Sequence, residues 1–585
     1  MYRSNTSNKM KARVNRRQHP RMYAPALLSV LRHYRKRWLS ADVVAGLSAC
    51  IVMIPSVIAY AELVHLPPIT GLYAALAAAL GYATFASSRQ VIAGPDAAIC
   101  LLVGAAILPL GGGDTVRLAT LAAELGLLTG AVLLLAAWLK LGVIADLLSR
   151  PVLTGYLNGA SLILIATQLG KMLGVSSPAD SFFPILRDLW TQLKYTHWPT
   201  LLTGILLMAL MVVLNRKAPR IPGALVACGA ALFASVGLDL GHHGVALVAA
   251  VPTGLPHLGF PDIYWEDISA LAPAAVAVAF LAFSDGLLLA QAFAEKHKYE
   301  VNPNQELVAL SSANILASFW QGFPVSASQS RTSIVDQAGG NSQVAQLVAA
   351  GGLVIFLIFL TGLIPLLPKV ALGSVLIITA IGMLEIAPLR RLYTIDPKEF
   401  WLAISVTAAI LLAGVVTGII VGMLFSLAAT LVQISRPRDA VLRRRTTDGK
   451  FHDCLENEDA QSVSGVIVYR LYAPLIFANA RYVVSRIREL VSESDDKLQW
   501  LVLDAQAISY MDVTAAQRIS ELHRELDDLG VEIKIADAPR PFREQLAAVG
   551  LSEELGNAQF FVSVKKAVEA FESRTQLARI EFLGV

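Results

Sequence analysis

The sequence predicts a polytopic α-helical membrane protein that ends in a small soluble α/β domain. From about Ala41 to Val432 it is a series of long apolar runs, such as "GILLMALMVVL" and "GGLVIFLIFLTGLIPLL". A helix needs roughly 20 mostly apolar residues to cross a membrane, and run after run meets that length. Only 16% of the residues are charged, whereas a soluble chain has about a quarter. These observations argue strongly against a soluble protein.

The first 40 residues form a basic arm. Residues 1–40 contain repeated Arg and Lys ("KARVNRRQHPR", "RHYRKR") and no acidic residue. Beside a membrane, such an arm is typical of a cytoplasmic segment that binds anionic lipid and orients the chain. The net charge of +4 is therefore no evidence for a nucleic-acid partner. We expect no cleavable signal peptide, because the apolar region starts late and continues as spans.

Residues 41–435 divide into about fourteen predicted spans, several of them short or broken. If the N-terminus is cytoplasmic, every second span ends inside, and those ends carry runs such as "NRKAPR", "EKHKYE" and "SRPRDAVLRRR". Because cytoplasmic loops are enriched in Lys and Arg, both termini are expected on the cytoplasmic side of the cell (inner) membrane. The segment after the fifth span is an exception, with Lys171, Arg187 and Lys194.

After Arg445 the composition becomes that of a soluble domain. "GVIVYRL", "WLVLDAQ" and "VEIKIAD" are short strand-like runs. "AAQRISELHRELDDLG" places Ile519, Leu522 and Leu526 on one helical face, and Gly530 is a plausible C-cap. Strand and helix in alternation predict an α/β domain over residues 464–585, joined to the membrane region by a linker at 436–463.

Two Gly- or Pro-containing stretches interrupt the apolar runs at membrane depth. Such breaks are tolerated where the freed backbone lines a polar cavity. "AGPDAA" predicts a short helix near Pro95, with Asp96 in its first turn. "FPVSASQSRTSIVDQAGG" predicts a second one near Ser330, with Arg331 in its first turn. Two helix N-termini and a guanidinium make an anion site, although Arg331 could instead only pair with a neighbouring acid.

Asp285, in "FLAFSDGLLLAQAF", is a second carboxylate at membrane depth. A charge there costs at least about 2.5–3.5 kcal/mol, and such residues usually mark an ion or proton path. The alternative is a packing residue that pairs with a neighbouring helix. For Asp96 the alternative is a simple cap of its own helix.

The sequence predicts no metal site, cofactor or disulfide. Cys50, Cys100 and Cys228 lie in apolar runs, and Cys454 lies apart from them, without metal-like spacing. His242–His243 lies in a predicted outer loop without a third ligand nearby. No phosphate-binding loop or catalytic triad is recognisable, so no feature supports an enzyme.

Several segments resemble the sulfate permease (SulP) family of anion transporters. They are "DVVAGLSACIVMIPSVIAYAELVHLPPITGLYAAL", "SSRQVIAGPDAA", "NPNQELVALSSANILASFWQGFPVSASQSRTS" and "AGGNSQ". The tail "LVLDAQAISYMDVTAAQRISELHREL" is similar to a STAS domain, the cytoplasmic module of that family. The resemblance implies fourteen spans in two inverted seven-span repeats, a core domain that moves against a gate domain, and a homodimer.

The resemblance also implies a set of substrate-binding residues. By motif these are Ser56 and Tyr60 of "IPSVIAYA", Asp96 and Ala97 of "GPDAA", Ser330 and Arg331 of "SQSRTS", and Asp285 as the acid of the eighth span. The chain departs from many members twice. Ser56 stands where they have Gln, which enlarges the pocket, and Asp96 stands where they have a non-acidic residue.

An ionised Asp96 would repel a substrate anion. At about 4 Å and an effective dielectric near 20, the repulsion is of order 4 kcal/mol. Asp96 could be protonated when the anion binds, could pair with Arg331, or could point away and cap its helix. We favour proton coupling, with Asp285 preferred over Asp96 as the proton site. Sodium would need nearby hydroxyls, but Leu288 and Leu289 follow Asp285 by one turn.

The expected function is secondary active transport of a small inorganic anion, with the proton as co-substrate. Sulfate is the favoured candidate for that anion. Alternatives are a bicarbonate or dicarboxylate transporter coupled to sodium or protons, an anion exchanger or channel-like member, a non-transporting anion sensor or motor, and a nucleobase permease. In STAS domains that act as phospho-switches, a Ser or Thr follows an Asp before the helix. Here Thr514 follows Asp512, although either residue could simply cap that helix.

Overall fold

The computed structural model describes most of the chain beyond the basic arm. The described residues are 27, 30, 32, 34–142, 150–175, 179, 181–218, 222–249, 253–445, 449–453, 460–494, 498–550, 552–553, 556 and 559–583. Most of the arm and Cys454 therefore lie outside the described residues. The chain divides into two compact units, Met1–Ser426 and Leu427–Val585, which we call the membrane unit and the soluble unit.

Within its described residues, the membrane unit is helical apart from turns, loops and two very short strands. Its elements are α1 (Leu39–Leu63), α2 (Pro68–Phe85), β1 (Ala93–Gly94), α3 (Ala97–Gly111), α4 (Thr115–Trp138), α5 (Arg150–Leu173), α6 (Phe182–Gln192), α7 (Trp198–Lys217), α8 (Gly223–Gly237), α9 (Trp265–His297), α10 (Pro303–Phe319), β2 (Ser326–Ala327), α11 (Gln329–Gln337), α12 (Val344–Phe359), α13 (Lys369–Met383), α14 (Ile386–Ile395), α15 (Pro397–Ala413) and α16 (Val415–Ser435), which continues across the unit boundary.

The elements of the membrane unit fall into two halves of the same order. Each half has two helices, a short strand that leads into a short helix, two more helices, a short connecting helix (α6 or α14) and two final helices. The strands β1 and β2 occupy the same place in their halves and pair antiparallel. Equivalent segments that run in opposite directions are the mark of an inverted repeat. The predicted fold class is therefore confirmed.

The helices have the length and composition of membrane spans. Among the described residues, eight helical stretches are long and apolar enough to cross a membrane, and three shorter apolar helices (α3, α8 and α12) accompany them. The number of fourteen spans stays a prediction, because α3 and α11 are half-length segments. Apolar side chains such as Leu202 and Leu206 of α7 and Leu431 of α16 are exposed, as lipid-facing residues are.

Small residues bring the helices of the membrane unit close together. A Cβ added to Gly71 of α2 would lie 2.1 Å from the Val57 carbonyl oxygen of α1, and one added to Gly46 would lie 2.2 Å from the Ala345 oxygen. Membrane helices depend on such close contacts, since lipid gives little hydrophobic driving force between them. These contacts hold α1, α2 and α12 as a compact group.

The soluble unit contains a mixed sheet with helices on both faces. Its elements are β3 (Asp439–Arg445), β4 (Phe451–His452), β5 (Ala460–Gln461), β6 (Val466–Leu471), α17 (Phe477–Ser492), β7 (Trp500–Asp504), α18 (Val513–Asp528), β8 (Glu532–Ala536), α19 (Arg540–Ala548), β9 (Phe560–Phe561) and α20 (Val564–Leu583). The strand order is β4-β3-β6-β7-β8-β9, with β5 paired to β3.

Strands β6 to β9 are parallel, and each face of the sheet has its own core. One core includes the predicted face of α18, with Ile519, Leu522 and Leu526 buried. The other packs α20 against the opposite face, through residues such as Phe571. The segment 436–463, which the sequence suggests as a linker, contributes β3 to this sheet, where it pairs antiparallel with β6.

Candidate functional site

The two half-helices begin where the two short strands meet. Ala93 and Gly94 of β1 pair with Ala327 and Ser326 of β2. α3 begins three residues after Gly94, and α11 begins two residues after Ala327. A helix N-terminus carries unpaired N–H groups and a positive partial charge. The crossing therefore points two positive helix ends at one place in the middle of the membrane unit.

Buried amide side chains hold the unwound backbone in place. The Asn314 amide donates to the Val325 carbonyl at 3.1 Å and accepts from the Val325 N–H at 2.9 Å. Gln346 accepts from the Ala93 N–H at 3.4 Å and donates to its carbonyl at 3.2 Å. Unpaired backbone is costly inside a membrane protein, so these residues stabilise the break. Asn314 and Gln346 are not among the residues predicted from the sequence, although an amide side chain within an apolar helix is a recognisable signal.

Arg331 reaches from one repeat to the other. Its side chain is buried, with 2% exposed, and Nη2 donates to the Pro95 carbonyl at 2.7 Å. Its Nε makes no hydrogen bond to a described residue. Gly94 leaves room for it, since a Cβ there would lie 3.2 Å from Nη2. A guanidinium has five N–H donors, so Arg331 keeps donors for an anion.

Asp96 caps α3. It occupies the N-cap position, and its Oδ2 accepts from the Ala98 N–H at 3.3 Å. It lies near enough to Arg331 for their charges to interact, but the two side chains form no ion pair within 4.0 Å among the described contacts. The geometry therefore corresponds to the capping alternative, with Ala97 buried in the first turn behind it.

The other predicted residues surround this crossing. Tyr60 of α1 is buried, and the charges of Asp96 and Arg331 act on its hydroxyl group. Ser56, one turn earlier, is half-buried and donates to the Val52 carbonyl of its own helix at 3.1 Å. Ser330 is exposed, with its hydroxyl 3.4 Å from that of Ser328.

Asp285 is half-buried in α9, and its carboxylate has no fixed hydrogen-bond partner among the described residues. The charges of Asp96 and Glu385 act on it, so it belongs to the same electrostatic neighbourhood. No hydrogen bond or ion pair from another described residue reaches its carboxylate. By contrast, buried Glu306 accepts from the Tyr82 and Ser87 hydroxyls and from two backbone N–H groups. Glu306 is thus a structural acid, because four donors hold its carboxylate. No such donors hold the carboxylate of Asp285.

Tyr156 belongs to the site but is not among the residues predicted from the sequence. It is buried in α5, and its hydroxyl donates to the Ala98 carbonyl in the first turn of α3 at 2.7 Å. The charges of Asp285 and Asp96 both act on it. A Tyr in an apolar run gives no distinct signal, because burial of Tyr in a core is common.

Thr514 lies in the soluble unit. It is exposed at the second position of α18. Asp512 caps that helix, since its Oδ1 accepts from the Ala515 N–H at 2.8 Å. Its Oδ2 accepts from the Phe477 N–H at 2.7 Å, which ties α18 to the start of α17.

Two inverted helical repeats, with an anion-attracting crossing of half-helices and an appended α/β unit, define a membrane transporter for anions. The model of the sulfate permease family matches residues 39–408, and that of the STAS domain matches residues 457–567. The chain belongs to the sulfate permease family, and its C-terminal unit is a STAS domain. Its relatives are transporters rather than enzymes, in agreement with the prediction.

Two curated relatives illustrate the similarity. A probable sulfate transporter of Mycobacterium tuberculosis is 38% identical over 552 residues, which are 94% of this chain and 98% of that protein. Sulfate transporter 4.1, chloroplastic, of Arabidopsis thaliana is 27% identical over 568 residues, which are 94% of this chain and 83% of that protein.

Two solved structures share the fold. Murine solute carrier 26 family member A9, an anion transporter, matches with a TM-score of 0.87 at 22% identity, over 94% of each chain. The transmembrane domain of the cyanobacterial bicarbonate transporter BicA matches with a TM-score of 0.59 at 20% identity, over 67% of this chain and 98% of that one. At these identities the matches establish the architecture of the chain.

Proposed function

We propose that the protein imports sulfate together with protons, by alternating access at the crossing of α3 and α11. The observation that carries the proposal is Arg331, buried between two helix N-termini with donors left over. A buried guanidinium between two positive helix ends favours a compact oxyanion. Two relatives, named a probable sulfate transporter at 38% identity and a sulfate transporter at 27% identity, support sulfate as that anion.

Asp285 is the proposed proton site. It has no fixed hydrogen-bond partner among the described residues, and the charges of Asp96 and Glu385 act on it. Like charges in one neighbourhood favour the protonated form of one of them. Protonation of Asp285 would remove a negative charge near the anion, so proton and anion would enter together. Asp96, which caps α3, is the second candidate.

The proposed substrate-binding set is Ser56, Tyr60, Asp96, Ala97, Asp285, Ser330 and Arg331, to which we add Tyr156. Tyr156 joins α5 to α3 through its bond to Ala98. Motion of α5 relative to α3 would break that bond, so the Tyr156–Ala98 contact would change with the state of the site.

The proposed setting is the inner membrane, with both termini in the cytoplasm and the basic arm at anionic lipid. We also propose a homodimer, as in the family that the sequence resembles. Thr514 remains a proposed regulatory position, because it is exposed at a helix N-terminus where a phosphate group would be favoured.

The test is sulfate uptake into proteoliposomes with an inward proton gradient, with and without an uncoupler. We expect accumulation that collapses when the uncoupler is added and does not require sodium. Sulfate uptake that does not depend on the proton gradient would contradict proton coupling and indicate uniport or exchange. If sulfate does not move, the same vesicles are tested with bicarbonate and succinate, and movement of either would replace sulfate as the substrate.

A further inference from the structure

A largely apolar cavity with a few charged side chains lies alongside α3, next to the half-helix crossing. It encloses about 780 Å³ and is lined by the ends of α1, α5, α7 and α13 and by one side of α3. Its lining includes Cys100, three residues after Ala97 in α3, and the charged residues Glu62, Lys171 and Lys369. We call it the vestibule. Arg331 and Asp285 do not line it.

The charges of Glu62, Lys171 and Lys369 in the vestibule do not balance. Lys171 Nζ lies 3.9 Å and Lys369 Nζ 3.8 Å from the same oxygen, Glu62 Oε2. Two ammonium groups thus share one carboxylate, and both distances exceed those of hydrogen bonds. Lys171 Nζ is buried and has no hydrogen-bond partner among the described residues. An ammonium group has three donors, so this arrangement leaves a positive charge with donors unused.

Lys171 also breaks the charge pattern of the sequence. It lies near the end of α5, where the positive-inside rule predicts few basic residues. A buried ammonium group is costly, because its charge leaves water. A function of the Lys171 charge in the vestibule would explain why a lysine occupies this costly position.

We propose that the vestibule is an entry site for the transported oxyanion, in which Lys171 and Lys369 concentrate the anion before it reaches the half-helix crossing. The proposal rests on the proposed function, and in the proposed orientation the vestibule opens outward. A cleft lined with one sign of charge raises the local concentration of the opposite ion. Glu62 opposes this effect and sets how tightly the anion is held.

The competing explanation is a latch between moving helices. Glu62 lies on α1, whereas the lysines lie on α5 and α13, so the two ion pairs could simply hold these helices together. In a latch, loss of Glu62 breaks both ion pairs and loss of a lysine breaks one of them, so the effects on transport have the same sign. In an entry site, loss of a lysine and loss of Glu62 have opposite effects on anions. Two histidines, His65 and His197, also line the vestibule, and neither is substituted in the test.

The test measures the charge of the vestibule directly. A Thr167→Cys reporter, one turn from Lys171 on α5, is placed in a cysteine-free background. The rates of its modification by anionic sulfonatoethyl and cationic trimethylammonioethyl methanethiosulfonate are then compared, together with the KM for external sulfate. We expect the anionic reagent to react faster. Lys171→Gln or Lys369→Gln should lower the anionic-to-cationic rate ratio about tenfold and raise the KM several-fold.

Glu62→Gln should have the opposite effects: it should raise the anionic-to-cationic rate ratio and lower the KM for external sulfate. Lys171→Arg should retain the ratio of the parent, which separates charge from packing. Lys194→Gln is the matched control, because Lys194 is exposed and lies outside the vestibule lining. The proposal is overturned if the anionic-to-cationic rate ratio does not change in Lys171→Gln and Lys369→Gln. It is also overturned if Glu62→Gln changes the ratio in the same direction as the lysine substitutions. Because the rate ratio needs no transport, it remains informative if sulfate is not the substrate.

Discussion

Arg331 is the residue on which the proposed anion site depends most. One of its N–H groups is engaged by the Pro95 carbonyl, so the guanidinium is held in place rather than free to swing. Charge-assisted hydrogen bonds to an anion are worth about 1.5–3 kcal/mol each, and Lys cannot copy the planar fork of Arg. Arg331 therefore contributes both charge and geometry.

Replacement of Arg331 separates these two contributions. Arg331→Lys should raise the KM for sulfate about tenfold, and Arg331→Gln about a hundredfold, because the second change also removes the charge. Initial uptake rates over a range of sulfate concentrations give both values. Arg187→Gln is the control, since the Arg187 side chain is largely exposed. An unchanged KM in Arg331→Gln would mean that the anion binds elsewhere.

Asp96 and Asp285 should respond differently to loss of charge. Asn caps a helix as well as Asp does, so Asp96→Asn keeps the cap on α3 while it removes repulsion. We expect a lower KM for sulfate, by up to about a thousandfold if the full repulsion of an ionised Asp96 is relieved, with proton dependence retained. Asp285→Asn should abolish uptake driven by a proton gradient but leave sulfate exchange at equal pH. If instead Asp96→Asn removes the proton dependence and Asp285→Asn does not, the two roles are reversed.

At the scale of elements, the site is the product of two short strands and the helices that follow them. β1 brings the Pro95 carbonyl to Arg331, and it does so at Gly94 because a side chain there would crowd the guanidinium. The conformation of Gly94 is not the reason, since it is not among the glycines with positive φ. The glycine is needed for space.

Gly94→Ala should therefore act on the anion site rather than on the fold. The added Cβ would lie 3.2 Å from Arg331 Nη2 and 3.6 Å from Met53 Sδ, so the guanidinium must shift by a few tenths of an ångström. We expect the KM for sulfate to rise about tenfold, as a small misplacement of a binding group can cause. Gly126→Ala in α4 is the matched control, because its nearest contact would be an ordinary 3.6 Å. Equal effects of the two substitutions on uptake and melting temperature would contradict this explanation.

At the scale of the whole molecule, composition and motif order predicted the architecture well. Apolar runs of span length reflect the thickness of the membrane, and the Gly-Pro and Ser-rich breaks mark where helices stop. Sequence could not show that Asp96 caps α3 while Arg331 bonds to Pro95, because both facts depend on side-chain direction across the repeat interface. Tyr156 and Gln346 were missed for the same reason: their partners lie 58 and 253 residues away. The vestibule is equally a product of tertiary structure, since Glu62 and its two lysines come from three helices.

The two units have separate cores, and this separation has a consequence for stability. Asp512 joins the N-terminus of α18 to the start of α17, both within the soluble unit. Loss of a cap costs about 0.5–2 kcal/mol, which corresponds to a few degrees in a domain of this size. Asp512→Ala should therefore lower the unfolding temperature of the soluble unit and leave the KM for sulfate unchanged.

Differential scanning calorimetry of the full chain, with uptake measured in parallel, checks this expectation. Thr514→Ala is the matched variant: Thr514 is exposed two residues beyond the cap, so neither the unfolding temperature nor uptake should change. A loss of uptake in Asp512→Ala would show that the stability of the soluble unit governs transport. A loss of uptake in Thr514→Ala alone, at unchanged stability, would instead favour a regulatory contact at the first turn of α18. The pair of variants thus separates a soluble unit that is merely attached from one that controls the membrane unit.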